Sequence, residues 1–250
     1  MTFDEVVKIL YNNPTNIYIC QHLDDKTLDY VMQVLEKLPA NDFKELNQNA
    51  KFDLLDLPIP YQNLQKSELK SCTFSPEINK QFSNLMDLIN KENTNIEYPF
   101  LFAGYENEYT GFEQFPNGKK QECVYDWTYI ENVIKQSNGK INLSLFHTHP
   151  NPLNEQHETL FNKYPDELSK LGVKPNGLNI SLADVYAEQY LENLVQKYQK
   201  DISCESSILM HDGTLICFSS QNGLVLTNEQ TLDQESTIIN ENQDDREQTL

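Results

Sequence analysis

Two histidines separated by a single residue, His147 and His149, directly follow a run over residues 141–146 in which apolar and polar side chains alternate. That alternation is typical of a half-buried β-strand. Side chains two residues apart on an extended chain point to the same side, at roughly 6.6 Å along the backbone. Two imidazoles placed in this way can bind one cation. The pattern therefore predicts a metal site whose third ligand comes from elsewhere in the chain.

A second segment, Ser181-Leu182-Ala183-Asp184, offers that third ligand. It opens a predicted helix over residues 181–200, and Asp184 lies in the first turn of this helix. Catalytic zinc takes three protein ligands and keeps one open position, and it accepts imidazole nitrogen and carboxylate oxygen. The same four residues also have the pattern of a capping box, which stabilises a helix by roughly 1 kcal/mol without any chemistry. The sequence leaves both interpretations open.

Taken together and in this order, these segments resemble the JAMM motif of the MPN+ metallo-isopeptidases. That motif has a glutamate on an early strand, then His-x-His-Pro, then Ser-x-x-Asp at the start of a helix, and the resemblance covers roughly residues 96–226. It implies one zinc ion per chain, held by His147, His149 and Asp184, with a water in the fourth position. It also implies that Ser181 stabilises the oxyanion, and that the substrates are conjugates of ubiquitin or a ubiquitin-like protein.

The resemblance also requires a carboxylate as general base. The chain offers four glutamates in the corresponding region: Glu97, Glu106, Glu108 and Glu113. Glu97 is the preferred base, because residues 97–104 resemble the family's glutamate-led strand that ends in small residues. Pro99 and Phe100 depart from the pattern, since small residues are usual at those positions.

The segment over residues 151–180 is several times longer than the corresponding connection in the family. We expect it to be partly helical, with Pro165 restarting a helix. It either shapes specificity, for example as a lid over the zinc, or is a tolerated surface insertion. His157 lies within it and is expected to be exposed, because Phe161 occupies the position where a zincin helix would carry its second histidine.

The expected architecture is α+β, with an MPN/JAB-type curved mixed sheet flanked by helices. We expect a mainly helical N-terminal extension over residues 1–92, a catalytic domain over 93–226 and a disordered acidic tail over 227–250, whose seven acidic residues and one arginine give −6. Helices are predicted near residues 3–11, 26–38, 76–90 and 127–136. Strands are predicted over 98–105, 109–115, 141–146 and 223–226, with a hairpin over 208–216.

Charge and composition limit which binding partners and which cellular compartment we expect. Nineteen basic and 38 acidic residues give a net charge of −19, which repels nucleic acid and mildly favours neutral or basic protein partners. Five cysteines without a C-x-x-C pair, and no export signal or membrane-spanning run, favour the cytoplasm. The acidic tail resembles the translocation signals of some type IV secreted bacterial effectors, which would deliver the protein into a host cytosol. The sequence does not determine the oligomeric state.

Three alternatives remain open. The first is a zinc peptidase that acts on a non-ubiquitin modifier or a peptide, and the second is a non-catalytic MPN-like scaffold. The third is a thiol protease built on Cys20 and His22, although no nucleophile context surrounds that pair. His22 and His211 lie outside the motif and are expected to be structural or solvated. Sensitivity to chelators rather than to thiol alkylation would separate the zinc and thiol classes.

Overall fold

A strongly curled, mixed eight-stranded sheet forms the centre of the fold, in the strand order β2-β10-β9-β8-β6-β4-β5-β3, and β1 and β7 pair separately. The computed structural model describes residues 4, 14–37, 54–67, 73–92, 96–116, 123–149, 162, 164–170, 172–173, 179–220 and 224–232. The strands are β1 (Pro58–Ile59), β2 (Gln65–Lys66), β3 (Thr73–Phe74), β4 (Phe100–Tyr105), β5 (Glu108–Gln114), β6 (Ile141–His149), β7 (Ile180–Ser181), β8 (Ile202–Met210), β9 (Thr214–Ser219) and β10 (Val225–Thr231).

Helices cover both faces of this sheet. They are α1 (Pro14–His22), α2 (Asp25–Lys37), α3 (Pro76–Glu92), α4 (Trp127–Gln136), α5 (Pro165–Lys170) and α6 (Leu182–Lys197). Alternate residues of β6 point to opposite faces, so Leu143 and Leu145 pack with α4 and α6 while Phe146 packs with α3. Helices α1 and α2 share a core with the first turns of α6, on the same face as the β6 histidines. The histidines of β6 therefore point into the layer that contains α6.

The helices α2, α3, α4 and α6 and the hairpin of β8 and β9 occur where the sequence predicts them. The hairpin turn includes Gly213, whose φ of 87° explains why glycine stands there. The predicted helix over residues 3–11 lies, apart from Asp4, outside the described residues, whereas α1 was not predicted. Its segment carries no strong apolar stripe, although Ile19 and Cys20 are buried against the core.

Short strands from residues 58–74, which the sequence assigns to a helical extension, join the sheets. Strand β2 pairs with β10 and β3 pairs with β5, so the N-terminal part lines both edges of the large sheet. Strand β10 reaches Thr231 and so includes the first residues assigned to the acidic tail. The two-residue strands and the polar second half of β10 carry little apolar alternation, and the sequence did not predict them for that reason. Among the described helices, none has both the length and the apolar character needed to cross a bilayer.

Candidate metal centre

His147 and His149 lie at the end of β6, between two neighbouring strands that fix their direction. Strand β4 pairs with β6 in the antiparallel sense, and β8 pairs with β6 in the parallel sense through His149 opposite Met210. Both imidazoles project from the same face, and their Nε2 atoms lie 3.0 Å apart. The side chain of His147 is 5% exposed and that of His149 is 16% exposed. Solvent therefore reaches the pair from the His149 side.

Asp184 reaches the same point from the first turn of α6. Its Oδ1 lies 3.1 Å from Nε2 of His147, and its Oδ2 lies 3.4 Å from Nε2 of His149. The start of α6 is held by the pairing of β7 with β1 and by the Leu182 amide, which donates to the Leu57 carbonyl at 2.9 Å. The N-terminal segment thus positions the helix turn that carries the carboxylate.

The Ser181 and Asp184 pair is both a capping box and part of the cluster. The Ser181 Oγ accepts from the Asp184 amide at 3.2 Å, and the Ser181 amide donates to Asp184 Oδ2 at 2.7 Å. The two interpretations of this segment are therefore compatible, because the capping bonds fix the carboxylate that faces the imidazoles. The Ser181 hydroxyl accepts in the cap, so its own hydrogen can still be donated to another acceptor.

The donor atoms of His147, His149 and Asp184 lie within 4.8 Å of one another and could hold a metal ion. For zinc bonds of about 2.0–2.1 Å in tetrahedral geometry, ligand atoms lie about 3.3–3.4 Å apart. The two Nε2 atoms lie 3.0 Å apart, and each faces a different oxygen of Asp184, at 3.1 Å for His147 and 3.4 Å for His149, so the three side chains lie near that spacing. Two nitrogens and a carboxylate are also a donor set that zinc accepts, so the residues fit the ion that the sequence analysis expected.

The electrostatics of the cluster favour a shared cation. Burial alone would raise the pKa of Asp184, but the His147 and His149 imidazoles outweigh it and hold that pKa well below its usual value. Burial alone would lower the pKa of His149, but the charges of Asp184 and Glu97 and a hydrogen bond to the Asn179 carbonyl raise it. The carboxylate is thus kept ionised, and positive charge is stabilised between it and His149.

Both imidazoles have partners on their outer nitrogens. Nδ1 of His149 lies 3.2 Å from the carbonyl oxygen of the buried Asn179, and Nδ1 of His147 lies 3.1 Å from the hydroxyl of Tyr125. Such outer contacts orient metal-binding histidines and set which nitrogen carries the proton. Sequence analysis identified neither Asn179 nor Tyr125.

Glu97 lies beside this cluster. It lies three residues before Phe100, where the pairing of β4 with β6 begins opposite Phe146. The Tyr98 amide, which donates to Thr148 Oγ1 at 3.0 Å, continues the contact between these two segments. The negative charge of Glu97 raises the pKa of His149, so the Glu97 carboxylate lies close enough to influence that imidazole.

The other three glutamates lie elsewhere on β4 and β5. Glu106 and Glu108 are exposed at the hairpin turn, the end opposite to the one that faces the histidines. Glu113 is exposed on β5, which is separated from β6 by β4. Their positions leave Glu97 as the glutamate of this group that the structure brings to the cluster.

The remaining histidines are distributed as follows. His22 is exposed at the end of α1, where its Nδ1 lies 2.7 Å from the Tyr18 carbonyl oxygen. His211 follows β8, and burial together with the nearby His149 lowers its pKa despite the opposing charge of Asp212. His157 and the other residues of 150–161 lie outside the described residues. Helix α5 begins at Pro165 as expected, and Tyr164, Leu168 and Val173 around it are buried in the core.

The sequence matches no model of a known protein family, and no curated protein matches it significantly. The site itself and the motif that its residues resemble are therefore the basis for a functional proposal.

Proposed function

We propose that this protein is a zinc-dependent isopeptidase that hydrolyses the bond between ubiquitin, or a ubiquitin-like protein, and its target. The observation that carries the proposal is the convergence of His147, His149 and Asp184, with separations of 3.0 to 3.4 Å. That cluster is supplied by the same His-x-His and Ser-x-x-Asp segments that resemble the JAMM motif. The motif and the geometry both support a metal site at these residues.

His147, His149 and Asp184 would hold the zinc ion. When bound, zinc supplies Lewis acidity, polarising a carbonyl oxygen and lowering the pKa of a water towards about 7. Glu97, next to His149, accepts the proton of the attacking water and passes it to the leaving lysine amine. The Ser181 hydroxyl donates its hydrogen to the oxyanion that develops on the carbonyl. No residue forms a covalent bond to the substrate in this scheme.

The position of Glu97 supports its role as the base. A base must lie within hydrogen-bonding reach of the proton that it removes, directly or through one water. The negative charge of Glu97 acts on His149, the more exposed of the two histidines, so its carboxylate lies near the part of the cluster that solvent reaches. The Asp184 carboxylate is ionised and already interacts with the Ser181 amide and with both imidazoles. It is therefore not available as the general base.

Protein conjugates are the proposed partners, in the cytoplasm or in a host cytosol reached by a non-Sec route. The net charge of −19 favours neutral or basic protein surfaces and opposes nucleic acid. A zinc peptidase acting on another modifier or on a peptide would use the same residues. A substrate panel distinguishes these cases.

The test is cleavage of a linkage-defined panel of di-ubiquitins by the full chain, with and without a zinc chelator. Glu97→Gln is assayed beside the wild type, and Glu113→Gln is the matched control, because Glu113 is an exposed glutamate on β5. We expect cleavage that the chelator abolishes, that Glu97→Gln reduces by about 10²- to 10⁴-fold, and that Glu113→Gln leaves unchanged. A zinc-loaded protein that cleaves no member of the panel would contradict the ubiquitin assignment and direct the search to other modifiers.

A further inference from the structure

Two aromatic side chains near the surface join the helices that flank the metal centre. The ring of Trp127, the first residue of α4, meets the ring of Tyr190 on α6 edge to face, with centroids 4.6 Å apart. Tyr190 is 38% exposed, and Trp127 is half-buried against the core below it. We call this pair the aromatic shelf. Part of its surface is open to solvent and can contact another molecule.

On α6 a short row of side chains leads from the metal centre to the aromatic shelf. Asp184, Ala187 and Tyr190 follow one another at intervals of three residues, so consecutive members are neighbours on the helix surface. Tyr190 lies about 9 Å from Asp184 along the helix axis. The side chain between them is a single methyl group. A polypeptide bound at the metal centre can therefore extend along α6 onto the shelf.

On α4 the aromatic shelf lies on the side of the site that the leaving amine is expected to occupy. The Tyr125 ring stands 5.9 Å from the Trp127 ring and 6.4 Å from the His147 ring, measured between centroids. Helix α4 shares a core with Leu101 of β4, and Glu97 lies three residues before that strand. In the proposed mechanism Glu97 passes its proton to the leaving amine. The shelf is thus closer to the target protein than to the modifier.

The charges around the aromatic shelf favour a cationic occupant. Asp126, directly before Trp127, is exposed, and the whole chain carries a net charge of −19. Lys135 and Lys197 lie towards the other end of α4 and α6, where their Nζ atoms are 3.5 Å and 3.1 Å from Glu131. The faces of indole and phenol rings attract guanidinium and ammonium groups, and tryptophan attracts them most strongly. A basic side chain is therefore the occupant that fits this surface.

We propose that the aromatic shelf binds a basic side chain of the target protein, arginine in preference to lysine, close to the conjugated lysine. The inference rests on the proposed isopeptidase function, because it assigns the shelf to the substrate of that site. It also narrows the substrate class to targets with a basic residue beside the modified lysine. Cation–π contacts at partly exposed sites contribute about 2- to 30-fold in affinity.

The fluorescence of Trp127 provides a direct test, because Trp127 is the only tryptophan of the chain. The full chain is titrated with a short peptide that carries ε-acetyl-lysine between two arginines and is otherwise neutral. The comparison peptide has citrulline, which is uncharged and has nearly the same shape, at both arginine positions. We expect the arginine peptide to change the tryptophan emission in a saturable way. The Kd of the citrulline peptide should be about 2- to 30-fold higher.

Substitutions of Tyr190 connect that binding to the aromatic shelf. Tyr190→Leu removes one ring and should weaken binding of the arginine peptide by about 2- to 30-fold, whereas Tyr190→Phe keeps the ring and should restore most of the affinity. Tyr129→Leu is the matched control, because Tyr129 is a 40% exposed tyrosine on α4 whose ring contacts Phe115 instead. We expect it to bind the peptide as the wild type does. For conjugates on the same two peptides, Tyr190→Leu should bring the ratio of their kcat/KM values towards one.

The outcomes separate this inference from the proposed function. If the two peptides bind the wild type equally, or the tryptophan emission does not respond, the inference is wrong and the isopeptidase proposal stands. If Tyr190→Leu binds the arginine peptide as tightly as Tyr129→Leu, the shelf is not the binding surface and the inference is also wrong. If the shelf binds the arginine peptide selectively while the zinc-loaded wild type cleaves no conjugate, the basic-side-chain site stands and the isopeptidase proposal fails.

Discussion

Replacing Ser181 by alanine separates its two roles, because they predict effects on different quantities. The Ser181 Oγ accepts from the Asp184 amide at 3.2 Å, and alanine removes that acceptor. The Ser181 backbone amide, which donates to Asp184 Oδ2 at 2.7 Å, stays in place and continues to orient the carboxylate. The variant should therefore keep its zinc, while the helix cap and the oxyanion donor are both lost.

The magnitudes follow from the two roles. Loss of a serine N-cap costs about 1 kcal/mol, which for a chain of this size lowers the melting temperature by about 2–4 °C. Loss of one oxyanion donor costs about 10²- to 10³-fold in turnover. Such a fall in turnover is far larger than a 1 kcal/mol loss of folding stability can produce, because the folded population hardly changes at 25 °C.

Ser75→Ala is the matched control. Ser75 stands before α3, on the opposite face of the sheet, and its Oγ accepts from the Ile78 amide at 3.4 Å. It should lose similar or slightly less stability and keep full turnover. Thermal unfolding, zinc content and initial rates of conjugate cleavage are measured for both variants. A Ser181→Ala protein that is destabilised but turns over normally would refute the oxyanion role and leave Ser181 as a helix cap alone.

Three further predictions concern the carboxylates. Glu97→Gln should retain one zinc per chain yet lose about 10²- to 10⁴-fold in turnover; normal turnover would exclude Glu97 as the base. Asp184→Asn should lose zinc, since the buried ionised oxygen between the imidazoles is replaced by a neutral amide; metal analysis that finds full zinc content would contradict the ligand assignment. Burial and the adjacent Glu192 raise the pKa of Glu188 well above 4.5, so the folded protein binds more protons than the unfolded one above that pH. Stability should fall as pH rises from about 4.5 through the raised pKa, and Glu188→Gln should flatten this fall in urea unfolding at a series of pH values. An unchanged pH profile would show that Glu188 is not the group responsible.

The parts of the site that local chemistry determines were predictable from the sequence. The alternation over residues 141–146 predicted the strand that carries His147 and His149. The expectation that this strand is half-buried was wrong, because helices cover both faces of the sheet and the polar Asn142 and Ser144 are 3% and 0% exposed. The start of α6 at Leu182, after Ser181, was predictable because capping preferences act within one helical turn. These two local signals identified the three proposed ligands, although they do not determine the packing that brings them together.

Other parts depend on contacts that leave no local pattern. The carbonyl of Asn179 belongs to the backbone, so the identity of the side chain gives no sign that it orients His149. Tyr125 meets His147 across 22 positions of the chain, through folding rather than through spacing. Strand β1 is two residues long and shows no periodicity, although its pairing with β7 fixes the turn that carries Asp184. Such contacts become visible only when the packed structure is known.

The decisive measurement for the zinc site is the metal content of the full chain, determined by inductively coupled plasma mass spectrometry beside His149→Ala. We expect one zinc ion per wild-type chain, retained through gel filtration, and loss of that zinc in the variant, because the remaining two ligands cannot hold it against dilution. A wild-type protein that binds no zinc when it is supplied, or a His149→Ala protein that retains it fully, would contradict the assignment of His147, His149 and Asp184 as a zinc site.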